Sequence, residues 1–166
     1  SDMRAWTKDL IVSYSDQTLT ASMGYGILYK PYDYLLWTCP DFLVKAGYFD
    51  RIMKAMEQVP KCAAAGEAWR PSIGTEPVVS DFDRGIDGIT MISKAAVNDV
   101  GGICPSFTGR GPLHQELWRR FARRGWNYAA IDGLCEHGGL QHEGRDRDPD
   151  WREGLEVDNR LWLKME

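Results

Sequence analysis

"YLLWTCPDFLVKAGYFDRIMKAM", residues 34–56, changes character twice within its length. Residues 34–37 form a short apolar, aromatic run of the kind found in a strand covered on both faces. The run stops at Pro40-Asp41, an isolated carboxylate with no neighbouring charge to balance it. From Gly47 to Gln58 the pattern becomes helical, because Phe49, Ile52, Met53 and Met56 fall at i, i+3, i+4 and i+7 and make one apolar stripe. Pro60 ends it. A buried strand passing into an amphipathic helix points to an α/β sheet domain.

The same alternation continues in both directions. Upstream, "DLIVSYSD" (9–16) reads as a strand, and Pro31 rules out a long helix across "ASMGYGILYKPYD". Downstream, "KCAAAGEAW" (61–69) reads as a second buried strand and 71–85 as a long loop. "GITMISKAAVNDVGG" (88–102) predicts a strand running into a short helix closed by Gly101. "PLHQELWRRFARRGW" (112–126) predicts a helix with Leu113, Leu117, Trp118 and Phe121 on one face. Arg123 and Arg124 suit its negative C-terminal end, and Gly125 stops it. "NYAAI" (127–131) is a further strand, and a charged loop over 143–154 leads to a last amphipathic segment at 155–165. With no internal repeat or low-complexity linker, residues 1–166 read as a single domain.

The bulk properties narrow the function. Of 166 residues, 43% are hydrophobic, enough for a genuine core. A net charge of -4 argues against nucleic acid as a partner and leaves room for a local phosphate site. The longest apolar run is too short for a membrane span, and no secretory signal pattern opens the chain. Cys39, Cys62, Cys104 and Cys135 are irregularly spaced without a CxxC pair, which predicts reduced thiols in a cytoplasmic protein rather than structural zinc.

Asp41 has two readings. It caps the following helix, or, beyond the carboxyl end of a strand where open α/β sheets bind ligands, it holds a divalent cation against phosphates. The order of several segments bears on the choice. "ASMGYGILYKPYDYLLW", then "YLLWTCPDFLVKAGYFDRIMKAMEQVP", then "GITMISKAAVNDVGGICPSFTGRGPLHQELWRRFARRGW", then "EHGGLQHEG" and "DNRLWLKME" occur in sequence. Together they resemble family-two nucleotide-sugar glycosyltransferases of the GT-A fold over roughly residues 14–166. In those enzymes a strand ends in an Asn-Pro-Asp or Asp-x-Asp motif, and a Glu-Asp pair opens a later helix.

The resemblance implies a truncated GT-A-like (Rossmann-like) mixed sheet flanked by helices. It also implies metal-assisted transfer of a sugar from a nucleotide-diphosphate donor to a hydroxyl acceptor. Asp41 takes the place of the motif aspartate, with Cys39 where the family has a first Asn or Asp, and His137 in "CEHGG" matches a histidine near the metal. Asp41 and His137 are therefore the metal candidates, for Mn²⁺ or Mg²⁺. The positions of the Glu-Asp pair hold Leu113 and His114, so the catalytic base falls to His114 or to Glu116, which otherwise serve only as ordinary residues of a helix start. Tyr14, Asp16, Asp87 and Trp118 are the candidates for substrate contact, Trp118 by stacking on a sugar face or else as core. Asp81 and Asp83 form a literal Asp-x-Asp out of order and read as loop.

The match begins at the family's third strand, so the strands that hold the nucleoside are expected to be missing. The edge of 10–16 is then expected to pair with a second copy or another chain. The competing expectation is a non-catalytic binding or assembly module on the same scaffold.

Overall fold

The apolar run at 34–37 becomes strand β1 (Tyr34–Thr38), and the amphipathic stretch becomes helix α1 (Tyr48–Gln58). A three-residue strand, β2 (Phe42–Val44), lies between them. The computed structural model describes residues 33–38, 42–68, 78–79, 86–108, 113–137 and 149–165. The expected strand at 9–16, Asp41, Asp81 and Asp83 fall outside them. The remaining elements are β3 (Cys62–Ala68), β4 (Val78–Val79), β5 (Ile86–Ser93), α2 (Lys94–Asp99), α3 (Leu113–Arg123), β6 (Asn127–Ile131), β7 (Cys135–His137) and α4 (Pro149–Met165).

Five strands form one sheet in the order β1-β5-β3-β6-β4. The β3–β6 pair is parallel and the other three pairs are antiparallel, so the sheet is mixed. β2 and β7 form a separate antiparallel ribbon. Helices cover both faces. On one, Tyr48, Ile52, Ala55 and Met56 of α1 pack with Ala65, Ile89, Met91, Ala129 and Ile131 of the sheet. On the other, Leu117, Trp118 and Phe121 of α3 and Val97 of α2 pack with Ala64, Ile92, Tyr128 and Ala130. β1 divides its apolar run accordingly, with Leu35 and Trp37 against the α3 side and Leu36 against the α1 side.

β1 is not central as expected. Among the described residues it stands at one end of the order, paired with β5 alone. Two other expectations are corrected. Val78–Val79 pairs with β6 inside the stretch read as loop. The last helix begins at Pro149, within the stretch read as a charged loop. Proline suits a first helical turn, where its missing N–H is not needed. Charge density hid the first turns of the helix; fully buried Asp158 anchors it by accepting the Thr108 backbone N–H at 2.6 Å and its hydroxyl at 3.0 Å, while Leu161 and Trp162 pack against the core. Among the described residues, no helix is long and apolar enough to cross a membrane.

β3 sits in the middle of the sheet and is built from small residues, Ala63, Ala64 and Ala65 all being fully buried. At Gly66 its backbone comes so close to β5 that an added Cβ would lie 2.7 Å from the Ile89 carbonyl oxygen and 2.8 Å from Thr90 Oγ1. The ladder shifts register immediately afterwards, between Gly66 and Glu67. Such an irregularity re-aims the side chain that follows it. Gly66→Ala is therefore expected to lower stability by about 1–3 kcal/mol, the usual cost of overpacking, in a chemical denaturation experiment.

Candidate functional site

Cross-strand partners define one level of the sheet: Trp37 pairs with Thr90, Thr90 with Gly66, and Gly66 with Ala130. Just beyond it lie Thr38, Glu67 and Ile131, at the carboxyl ends of β1, β3 and β6. Asp87 of β5 pairs with Glu67 there. This is the edge at which an open α/β sheet places its ligands.

Two segments lie against the sheet near that edge. On the α3 face, the first turn of α3 places the half-buried ring of His114 edge-on to Trp37, with centroids 5.9 Å apart and planes inclined at 61°. On the α1 face, the β2–β7 ribbon packs through Phe42 and Cys135. Within the ribbon Phe42 is paired with His137. Positions 42 and 137 are thus neighbours although they are far apart in sequence. His114 and the ribbon thus lie on opposite faces of the sheet.

A charge clamp holds the turn that launches β7. The Glu67 carboxylate accepts three consecutive backbone amides, from Gly133 at 2.8 Å, Leu134 at 2.6 Å and Cys135 at 2.9 Å. The Arg51 guanidinium of α1 donates to the carbonyls of Asp132 at 2.7 Å and Gly133 at 3.0 Å. Beside the clamp, the Tyr48 side chain is 2% exposed and its hydroxyl has no hydrogen-bond partner. Burial pushes that phenol well above its usual range, and the neighbouring Cys135 and Glu67 add to the effect. Neither Glu67 nor Arg51 stands out in the sequence. The one available signal was a lone charge on each of two otherwise apolar surfaces.

Other sequence candidates fall elsewhere. Glu116 lies in the first turn of α3 but is 4% exposed and bound to Arg120, with Nε–Oε1 2.6 Å and Nη2–Oε2 2.8 Å. Arg120 in turn caps the end of α2 by donating to the carbonyls of Val100 at 2.7 Å and Gly102 at 2.6 Å. Positions two apart on a helix project about 200° from each other, so His114 and Glu116 do not share a cleft. Trp118 is 3% exposed and stacks on Tyr128 at 6.4 Å, inside the core and out of reach of a sugar. Its ring is apolar filling, which is the reading that burial selects. Tyr14 and Asp16 lie outside the described residues, as do the side chains of Asp87 and His137. Among the described residues no group of three or more His, Cys, Asp or Glu side chains is placed to hold a metal.

Cys62, at the opposite edge of the sheet, is buried, and burial pushes its thiol up to about 11; its Sγ donates to the Ala64 carbonyl oxygen at 3.2 Å. At neutral pH it is a protonated core side chain. No protein-family model matches the chain, and a search of curated proteins finds no match either.

Two outcomes follow from these placements. Arg120→Met leaves the Glu116 carboxylate and two helix-end carbonyls stranded, and is expected to cost about 3 kcal/mol in an equilibrium unfolding experiment. For Cys62 the folded-state pKa is raised from the usual 9.0 to about 11, so its contribution to stability is fully present below the lower value and is lost as pH rises through the higher. Cys62→Ala is accordingly expected to flatten the alkaline limb of a stability–pH profile.

Proposed function

We propose that the chain is a GT-A-like glycosyltransferase that moves a sugar from a nucleotide-diphosphate donor to a hydroxyl acceptor at the edge where β1 ends. The observation that carries this reading is the pairing of Phe42 with His137, together with the contact of His114 on Trp37. His114 and His137 are two of the positions singled out by the family resemblance. The resemblance itself, with its segments in order over roughly residues 14–166, supplies the reaction class.

Positions 41 and 137 would hold a Mn²⁺ or Mg²⁺ ion. One carboxylate and one imidazole are ligand types such an ion takes, and donor diphosphate and water complete the coordination sphere. Bound there, the cation offsets the negative charge that develops on the leaving diphosphate. His114 accepts the proton of the acceptor hydroxyl, a role suited to a residue type that titrates near neutral pH. In-line displacement at the anomeric carbon requires base and leaving group on opposite sides. The family resemblance suggests an inverting reaction. Trp37 backs the imidazole ring and limits its freedom.

A second reading, a binding or assembly module without catalysis, is favoured by the pairing of Glu116 with Arg120. That pair removes the second candidate base, and α3 opens on Leu113-His114 where the family has two carboxylates. Thermal shift with UDP and other nucleotide diphosphates, with and without Mn²⁺, separates the two. Ligand at 100 times its dissociation constant stabilises by about 2.7 kcal/mol, a readily measured rise in Tm. The rise should require Mn²⁺ and vanish in Asp41→Ala. His114→Ala should keep it while lowering sugar transfer or donor hydrolysis by about 100-fold or more. No shift with any nucleotide leaves the non-catalytic reading standing.

A further inference from the structure

We infer that Glu67 is a positioning residue for this site: its carboxylate fixes the β6–β7 turn and so sets the register that pairs His137 with Phe42. What the ribbon holds rests on the function proposed above; what Glu67 does rests on the geometry alone.

The ribbon has little else to hold it. It comprises three residue pairs, Phe42 with His137, Leu43 with Glu136 and Val44 with Cys135. A two-stranded ribbon of that length is not stable by itself. Leu43 and Val44 are 63% and 54% exposed, so burial anchors it only through Phe42 and Cys135 among its described side chains. The Lys45–Glu136 ion pair, at 3.1 Å, is solvated on both sides and contributes little. A slip of one residue would put a different side chain opposite Phe42 and turn every other one to the opposite face.

The turn supplies what the strands lack. Glu67 binds the amides at positions 133, 134 and 135 in one bidentate grip, and bonds from an ionised acceptor are about twice as strong as neutral ones. Arg51 grips the carbonyls on the other side of the same turn. The Lys45 amide then bonds the Leu134 carbonyl at 3.0 Å, which carries the register into the ribbon. β3 is rigid at this point, because Gly66 is pressed against β5 and Glu67 emerges from the register shift that follows. The carboxylate is thus referenced to the centre of the sheet, and His137 is referenced to the carboxylate.

The test compares Glu67→Ala, Glu67→Gln and the exposed control Glu57→Ala by NMR. Glu67→Ala should speed amide exchange at residues 133–135 by about tenfold or more, since charge-assisted bonds are lost. It should also remove the cross-strand NOEs between Phe42 and His137 while those of the β3–β6 pair persist. With UDP present, Mn²⁺ broadening at Phe42 and His137 should need about 10–100-fold more metal, the usual cost of removing a group that orients a ligand. Glu67→Gln should be intermediate: its one carbonyl oxygen can keep the Leu134 and Cys135 amides, but its NH₂ then meets the Gly133 amide as donor against donor. If Glu67→Ala is unfolded, Glu67→Gln carries the test. Unchanged exchange and NOEs in the alanine variant, or a metal response no weaker than in Glu57→Ala, overturns the inference. Absence of Mn²⁺ broadening in the wild-type protein would instead remove the transferase reading, and exchange and NOEs would still decide the part played by Glu67.

Discussion

The close approach of β3 to β5 at Gly66 is the constraint on which both the core and the candidate site depend. A sheet covered on both faces needs a thin middle if helices are to reach it from each side. The run of alanines in β3 provides that thinness, while the bulk comes from Ile52 and Met56 on one side and Trp118 and Phe121 on the other. Where the two backbones press together there is no room for a Cβ, and the ladder yields by shifting its register. The shift turns Glu67 out of the sheet and toward the β6–β7 turn. One packing constraint in the interior therefore decides where a carboxylate meets a surface ribbon.

Charged side chains in this protein act repeatedly on backbone groups. Glu67 and Arg51 hold the β6–β7 turn, Arg120 closes the end of α2, and Asp158 ties α4 to Thr108. Loops and helix ends leave N–H and C=O groups unmatched, and a buried or half-buried ion satisfies several at once. This division of labour matters for the chemistry. Glu116, attractive as a base by its position in the chain, is committed to Arg120. His114 instead has the Trp37 ring as its neighbour, edge-on at 5.9 Å between centroids.

Much of the fold was legible because it rests on local periodicity. The strand at 34–37, the helix ending at Gln58 and the strand at 127–131 emerged nearly as expected, since apolar spacing and glycine or proline stops determine them. The rest depends on partners distant in sequence. Glu67 finds its amides 66 to 68 residues away, and no pattern around "AAAGEA" announces them. β4 has two residues and no period to read. Trp118 looked equally suited to a sugar face or a core because the ring chemistry is the same, and only burial separates the two. The pairing of Phe42 with His137 was not legible, since ladder register is a property of two segments and not of either one.

The parallel pairing of β3 with β6 also governs how the chain can fold as it is made. β3 is complete at Ala68, yet its second neighbour ends at Ile131, and the segments between include β5, α2 and α3. During synthesis the middle strand therefore has one unmatched edge until more than sixty further residues have been added. That edge is short-chained and apolar, the kind that invites pairing with another nascent chain. Closure of the sheet thus waits on a long-range contact, which carries a loop-closure cost and slows folding relative to local pairing.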